Sequence, residues 1–232
     1  MKRQLLDKLL TWKAKGTRKP LVIDGARQTG KTYLLQVLFS NEFTNTLRLD
    51  FLENPELAEA FEGSLSPDDI ISNIELLTDQ VFNVKTDLLI LDEIGECPRA
   101  VTALKYFAEK TPHYFIAASG SNIGLLSSFP VGKVEQHNLR PLTFGEFLWA
   151  SGESALINAY ENQLSSPVAH SKLFDKLTDY YFTGGMPEAV STWFDPAEIS
   201  ILERVEAVSS VQSNLVEGYK RDFGKYSGKL DS

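Results

Sequence analysis

The sequence predicts an α/β chain, a three-layer domain with a parallel five-stranded sheet followed by a small helical subdomain. Three observations predict it. Short apolar runs of strand length alternate with segments long enough for helices, and that alternation gives a parallel sheet covered on both faces. A glycine loop, Gly25 to Gly30, lies between the first of these runs and a helical stretch. From Thr143 the character changes to helical segments, so the boundary falls between a core of residues 1–142 and a lid-like helical part of residues 143–232.

Taken in order, Leu5, Leu6, Leu9, Leu10 and Trp12 recur at helical spacing and predict an opening amphipathic helix. Leu21-Val22-Ile23 is the first strand, and Tyr33 to Ser40 the next helix, with Leu34, Leu35, Leu38 and Phe39 on one face. Thr46 to Phe51, Leu88 to Leu91 and Tyr114 to Ala118 follow as strands, and a fifth is expected within Lys133 to Leu139. Ser66-Pro67-Asp68-Asp69 reads as a helix start, with serine as cap, proline in the first turn and acids at the positive end of the helix dipole. Thr143-Phe144-Gly145-Glu146 fits a capping box, and the helices after it break at Gly184-Gly185 and Pro196.

Composition bounds the function. A chain of 232 residues with 43% hydrophobic content can bury a real core. No apolar run approaches the roughly 20 residues of a membrane-spanning helix, and Asp7 and Lys8 interrupt the place of a signal peptide, so a cytoplasmic protein without membrane contact is expected. Cys97 is the single cysteine, and His113, His137 and His170 are scattered, which argues against disulfide and zinc chemistry. Seven cations against Asp7 give the first nineteen residues +6, so the remainder carries −14 of the net −8. An acidic body does not support nucleic acid as the main ligand, because phosphate-backbone affinity needs clustered cations. It leaves ATP open, since charges beyond a Debye length of about 8 Å are largely screened at physiological salt. The basic start is read as the solvated face of the first helix, with contact to a partner as the alternative.

Gly25-Ala26-Arg27-Gln28-Thr29-Gly30-Lys31-Thr32 matches G-x-x-x-x-G-K-T and sits between a predicted strand and a predicted helix, the context that defines a P-loop. Its amides, with those of the first helical turn up to Tyr33, point at phosphates; Lys31 reaches the terminal phosphates, and the Thr32 hydroxyl binds magnesium. Leu88 to Leu91 leads into Asp92 and Glu93, sixty-one positions beyond Lys31 for the first acid. Carboxylates at the C-terminal edge of such a strand face the ligand crevice of a parallel sheet. Asp92 is expected to hold Mg2+ directly or through water, and Glu93, diverging from it, to serve as general base to the attacking water. Ser119 ends the fourth run; with the strand order of an additional-strand sheet it falls between the two motif strands, as a phosphate sensor or as a turn former. Asp24, next to a loop that must hold phosphate charge, is expected to point away or to pair with a cation.

Together these residues resemble the AAA-type ATPase domain of a prokaryotic family, typically fused to a C-terminal domain similar to restriction-endonuclease-like nucleases. Beyond the P-loop and Leu91-Asp92-Glu93, the similar elements are 128–134 (Ser-Phe-Pro-Val-Gly-Lys-Val), 139–148 (Leu-Arg-Pro-Leu-Thr-Phe-Gly-Glu-Phe-Leu), 184–190 (Gly-Gly-Met-Pro-Glu-Ala-Val) and 219–223 (Tyr-Lys-Arg-Asp-Phe). Ala26 stands where the family usually has proline, and the stretch between Gly120 and Ser128 looks shortened. The family continues well past the last element, so the chain reads as a fragment whose C-terminal effector domain is missing. In the larger family an arginine often follows the glycine before the fifth strand. The resemblance thus puts Lys133, after Gly132, near the terminal phosphate, with a strand-edge lysine as the competing reading and Arg140 in reserve.

The function expected is Mg-dependent ATP hydrolysis, with ATP and ADP as ligands and coupling to an effector domain or a protein partner; oligomerisation stays open. A small-molecule kinase shares the P-loop, but a base beside the metal suits water as acceptor. A GTPase lacks support because no Asn-Lys-x-Asp stretch occurs. A nucleotide-gated switch with little turnover is the non-enzymatic alternative.

Overall fold

The computed structural model describes residues 1–227 apart from Asn122, Ser127 and Glu198, and leaves out the side chains of Leu125 and residues 222–227. The side chains of Asp222 and Phe223, from the last family-like element, therefore lie outside the described residues. The chain divides into two compact units, Lys2–Arg140 and Pro141–Ser232, the latter joined by Met1.

In the first unit, strands β1 (Leu21–Asp24), β2 (Thr46–Asp50), β3 (Leu88–Asp92), β4 (Phe115–Gly120) and β5 (Glu135–Asn138) form one parallel sheet in the order β2-β3-β4-β1-β5. Each predicted apolar run is a strand, and β4 separates the two motif strands as expected. Period-two alternation splits the strand residues between two cores. Val22, Leu89, Leu91, Ile116 and Ala118 face one side and meet helices α3 (Pro67–Thr78) and α4 (Pro98–Lys110) through Ile70, Ile74, Leu104 and Phe107. Leu21, Ile23, Leu88, Ile90 and Ala117 face the other side, where α1 (Leu5–Lys13) contributes Leu9 and Trp12. Leu34, Leu35 and Phe39 complete that layer from the helix that follows the P-loop, so the domain has three layers. All five residues of β3 are buried, whereas β5 at the edge alternates half-buried with exposed, as inner and edge strands should.

Two local details differ from expectation. The helix after the P-loop, α2, has one α turn over Lys31–Tyr33 and then runs as a π-helix over Leu34–Phe39, a form enriched at functional sites. Ser66 holds the N-cap position of α3, but its side chain makes no capping bond; Ser64 instead bonds Asp69 at 2.6 Å and accepts from the Ser66 amide at 3.2 Å.

The regular structure among the described residues of the second unit is all helical: α5 (Phe144–Ser151), α6 (Ser154–Glu161), α7 (Pro167–Thr183), α8 (Pro187–Trp193) and α9 (Ile201–Ser227). The Thr143–Glu146 capping box is formed in both directions. Leu142, Phe147, Val190, Trp193 and Val208 make its own core. Its chain crosses itself closely where the Leu142 amide donates to the Gly185 carbonyl at 2.6 Å, and a Cβ at Gly185 would lie 2.3 Å from the Leu142 carbonyl oxygen. No helix among the described residues is long and apolar enough to cross a membrane.

Candidate functional site

The loop that leaves β1 is shaped by its first residue. Gly25 has φ 152°, and a Cβ there would come within 2.4 Å of the Leu139 carbonyl oxygen. Only glycine fits, and the loop is thereby pinned against the end of β5, where the Leu139 amide donates to the Asp24 carbonyl at 2.7 Å. Asp24 turns its carboxylate onto neutral donors, the Gly25 amide at 2.7 Å and the Gln136 amide group at 3.4 Å. Ala26, Arg27 and Gln28 form the exposed crest of the loop, with Gln28 at a left-handed φ of 64°. Thr29 is buried and bonds back to the Ala26 carbonyl at 2.9 Å. Gly30, also left-handed, delivers the chain into α2, so Thr32 and the exposed Tyr33 sit in its first turn.

Lys31 is 5% exposed and lies along the loop it belongs to. Its ammonium donates to the Gly25 and Ala26 carbonyls, each at 2.9 Å, and to the Ser121 hydroxyl at 3.3 Å. Burial lowers its pKa, and Glu93, Asp24 and Asp92 oppose the shift. A cation held by two backbone carbonyls and a hydroxyl is positioned for an anion that offers better acceptors than these neutral groups.

Asp92 is the organising acid. It is 1% exposed at the C-terminal end of β3. Its Oδ2 accepts from the Thr32 hydroxyl at 3.0 Å, and its Oδ1 from the Glu93 amide at 3.2 Å and from the fully buried Ser119 hydroxyl. Ser119 is thus committed to Asp92, on the strand between the two motif strands. Glu93 leaves the strand with φ 48° and ψ 45°, a left-handed conformation that costs energy for a residue with a Cβ. Burial raises the Glu93 pKa; Lys31 pulls it partway back and Asp92 adds to the rise.

Two arginines complete the surroundings and were not among the residues expected from sequence. Arg48 on β2 donates to Asp92 Oδ2 through Nε at 2.9 Å and Nη2 at 2.7 Å, and pairs with Asp50 on its own strand. Arg3, 4% exposed, donates to the Thr29 carbonyl at 2.7 Å and the Arg140 carbonyl at 2.6 Å, clamping the P-loop from the N-terminal arm. Arg48 gave no advance signal, since in the alternation of β2 it takes a half-buried position between the buried Leu47 and Leu49, where a charge is ordinary.

Lys133 is not brought to this site. It precedes β5, and β5 runs parallel to β1, so Lys133 lies at the sheet edge opposite the P-loop. There it pairs with Glu109 in the last turn of α4 at 2.8 Å, both side chains well exposed. Arg140, the reserve candidate, is exposed and offers its carbonyl to Arg3.

The arrangement fits magnesium with a phosphate ligand. The Thr32 hydroxyl and an Asp92 carboxylate oxygen lie 3.0 Å apart, and both are the oxygen donors that such an ion takes.

A parallel sheet in this strand order, with a glycine loop leading from β1 into a helix and an acid pair at the end of β3, one strand removed from β1, defines a P-loop nucleotide-binding domain. The AAA domain family matches residues 17–148, and the chain belongs to that family. No curated protein matches the chain. Among solved structures it is similar to C. elegans PCH-2, at 13% identity and a TM-score of 0.44, over 85% of this chain and 61% of that one. It is also similar to Drosophila ORC bound to DNA, at 13% identity and a TM-score of 0.42, over 92% of this chain and 66% of that one. The chain therefore spans under two thirds of the length of both.

Proposed function

We propose that this chain binds Mg-ATP and hydrolyses it to ADP and phosphate, and that turnover is coupled to the helical unit and to an effector domain or protein partner. The observation that carries this reading is the meeting of Thr32 and Asp92 at 3.0 Å beside the buried Lys31, with Glu93 next in sequence. Lys31 exchanges its loop carbonyls for phosphate oxygens and stabilises charge on the transferring group. Thr32 and Asp92 would hold magnesium, which would offset the charge of the phosphates. Glu93 accepts the proton of the attacking water as the new oxygen–phosphorus bond forms and the bond from the γ-phosphorus to the ADP oxygen breaks. A carboxylate whose pKa is raised by burial is a stronger base than an exposed one, which suits the role.

Isothermal calorimetry with Mg-ATP tests the binding half. The parent chain is expected to bind, and Lys31→Ala to bind more weakly by about 2–3 kcal/mol, the size of one or two charge-assisted contacts. Equal affinities for parent and variant would remove Lys31, and with it the P-loop reading, from the account.

A further inference from the structure

The carboxylate assigned above to the metal is already saturated. Five donors converge on Asp92: Thr32 Oγ1, Arg48 Nε and Arg48 Nη2 on Oδ2, and Ser119 Oγ and the Glu93 amide on Oδ1. A carboxylate has about four lone-pair directions, so no further ligand can join without a donor leaving. Ser119 and the Glu93 amide belong to β4 and to the strand exit and are fixed by the fold. Thr32 can stay, because a hydroxyl can rotate its proton away and present a lone pair to a cation. Arg48 has neither option. It bears a positive charge and only donors, and it lies on Oδ2, the oxygen shared with Thr32.

Arg48 also has a second place to go. Its Nη2 pairs with Asp50, the residue opposite Asp92 in the β2–β3 register. Asp50 is itself held in place by the Leu52 and Glu53 amides, both at 3.0 Å on its other oxygen. Withdrawal from Asp92 therefore leaves the guanidinium paired with a fixed carboxylate, which lowers the cost of moving it.

We propose that Arg48 is a positioning residue for Asp92, a resident counter-cation that a divalent ion must displace towards Asp50, so that Arg48 sets the metal affinity of the site. This rests on the reading of Asp92 as the metal ligand. Without metal, Arg48 neutralises a buried carboxylate and fixes its rotamer. With metal, its departure clears Oδ2, and the exchange of one cation for another keeps the pocket's charge compensated.

The test is Mn2+ alone added to the intact 232-residue chain without nucleotide, read by the loss of the free-ion electron paramagnetic resonance signal. Arg48→Met is expected to bind Mn2+ at least about fivefold more tightly than the parent, the low end of typical coupling between linked binding events. Arg48→Lys, which keeps the charge without the fork, should fall between them. A residue that merely braced Asp92 would give the opposite sign, so unchanged or weaker Mn2+ binding in a folded Arg48→Met chain overturns the proposal. Asp92→Asn separates this failure from that of the underlying reading: it should abolish the signal loss, and if it binds as the parent does, Asp92 is not the ligand at all. Should Arg48→Met fail to fold, the side-chain Nε–H resonance of Arg48 in the 15N-labelled parent decides the matter. It is expected to shift on saturation with Mg2+, and a resonance that stays put contradicts the displacement.

Discussion

Glu93 and Lys31 are half-buried and buried charges that each find the other as partial compensation, and burial dominates both shifts. The consequence for pH follows from the direction for Glu93. Its folded pKa lies above the ordinary 4.5, so the folded chain binds this proton more tightly than the unfolded one. Stability from this group is fully present below that ordinary value and is lost as pH rises through the folded pKa. Glu93→Gln should accordingly melt at a higher temperature than the parent at neutral pH, and the gain should vanish in melts below pH 4.5. An unchanged or lower neutral-pH melting temperature would mean that the carboxylate stabilises the apo fold instead. Lys133 supplies a contrast: its pairing with Glu109 at the far edge predicts that Lys133→Ala keeps both ATP affinity and turnover, measured side by side with the parent. Slower turnover with intact affinity would return it to the mechanism. At this scale the phosphate loop and its acid pair could be read in advance because each is a contiguous stretch whose chemistry is local. Arg48 and Arg3 could not, because one acts across neighbouring strands and the other reaches the P-loop from the N-terminal arm.

Among the elements, α1 shows how an amphipathic face becomes a structural anchor. Trp12 is fully buried, meets Phe39 at 6.0 Å and Phe115 at 6.2 Å between ring centroids, and donates its indole proton to the Lys19 carbonyl at 2.8 Å. Trp12→Ala should destabilise the chain by about 3–5 kcal/mol in urea unfolding, the usual cost of deleting a buried aromatic side chain. A loss below about 1 kcal/mol would show that α1 is not part of the sheet's cover. Strands β1 to β4 were legible because apolar runs of the right length alternate with helical segments, and Leu88 to Leu91 of β3 are all apolar because β3 is buried on both faces; β5, Glu135 to Asn138, has no apolar residue. The π-helical run over Leu34–Phe39 was not, since its residues carry the same apolar spacing that an α-helix would use. The Thr143 capping box and the Ser66 position carry similar sequence signals, yet only the first forms its side-chain bonds, because Ser64 and Asp69 pair with each other beside Ser66.

On the scale of the whole molecule, each unit has its own hydrophobic core, and the chemistry assembled here lies within Lys2–Arg140. The change from alternating runs to helical segments near Thr143 was visible in the sequence; what the helical unit does was not, because its core of Leu142, Phe147, Val190 and Trp193 reports packing and no reaction. The central claim is that the site turns over ATP with Glu93 as base. Single-turnover hydrolysis, with the intact chain in excess over radiolabelled Mg-ATP and phosphate release as the readout, tests it most directly. The parent should convert the bound nucleotide completely, and Glu93→Gln should bind ATP equally well yet hydrolyse it about 10²- to 10⁴-fold more slowly. Bound ATP that stays intact in the parent, or equal rates in the two chains, would contradict the account.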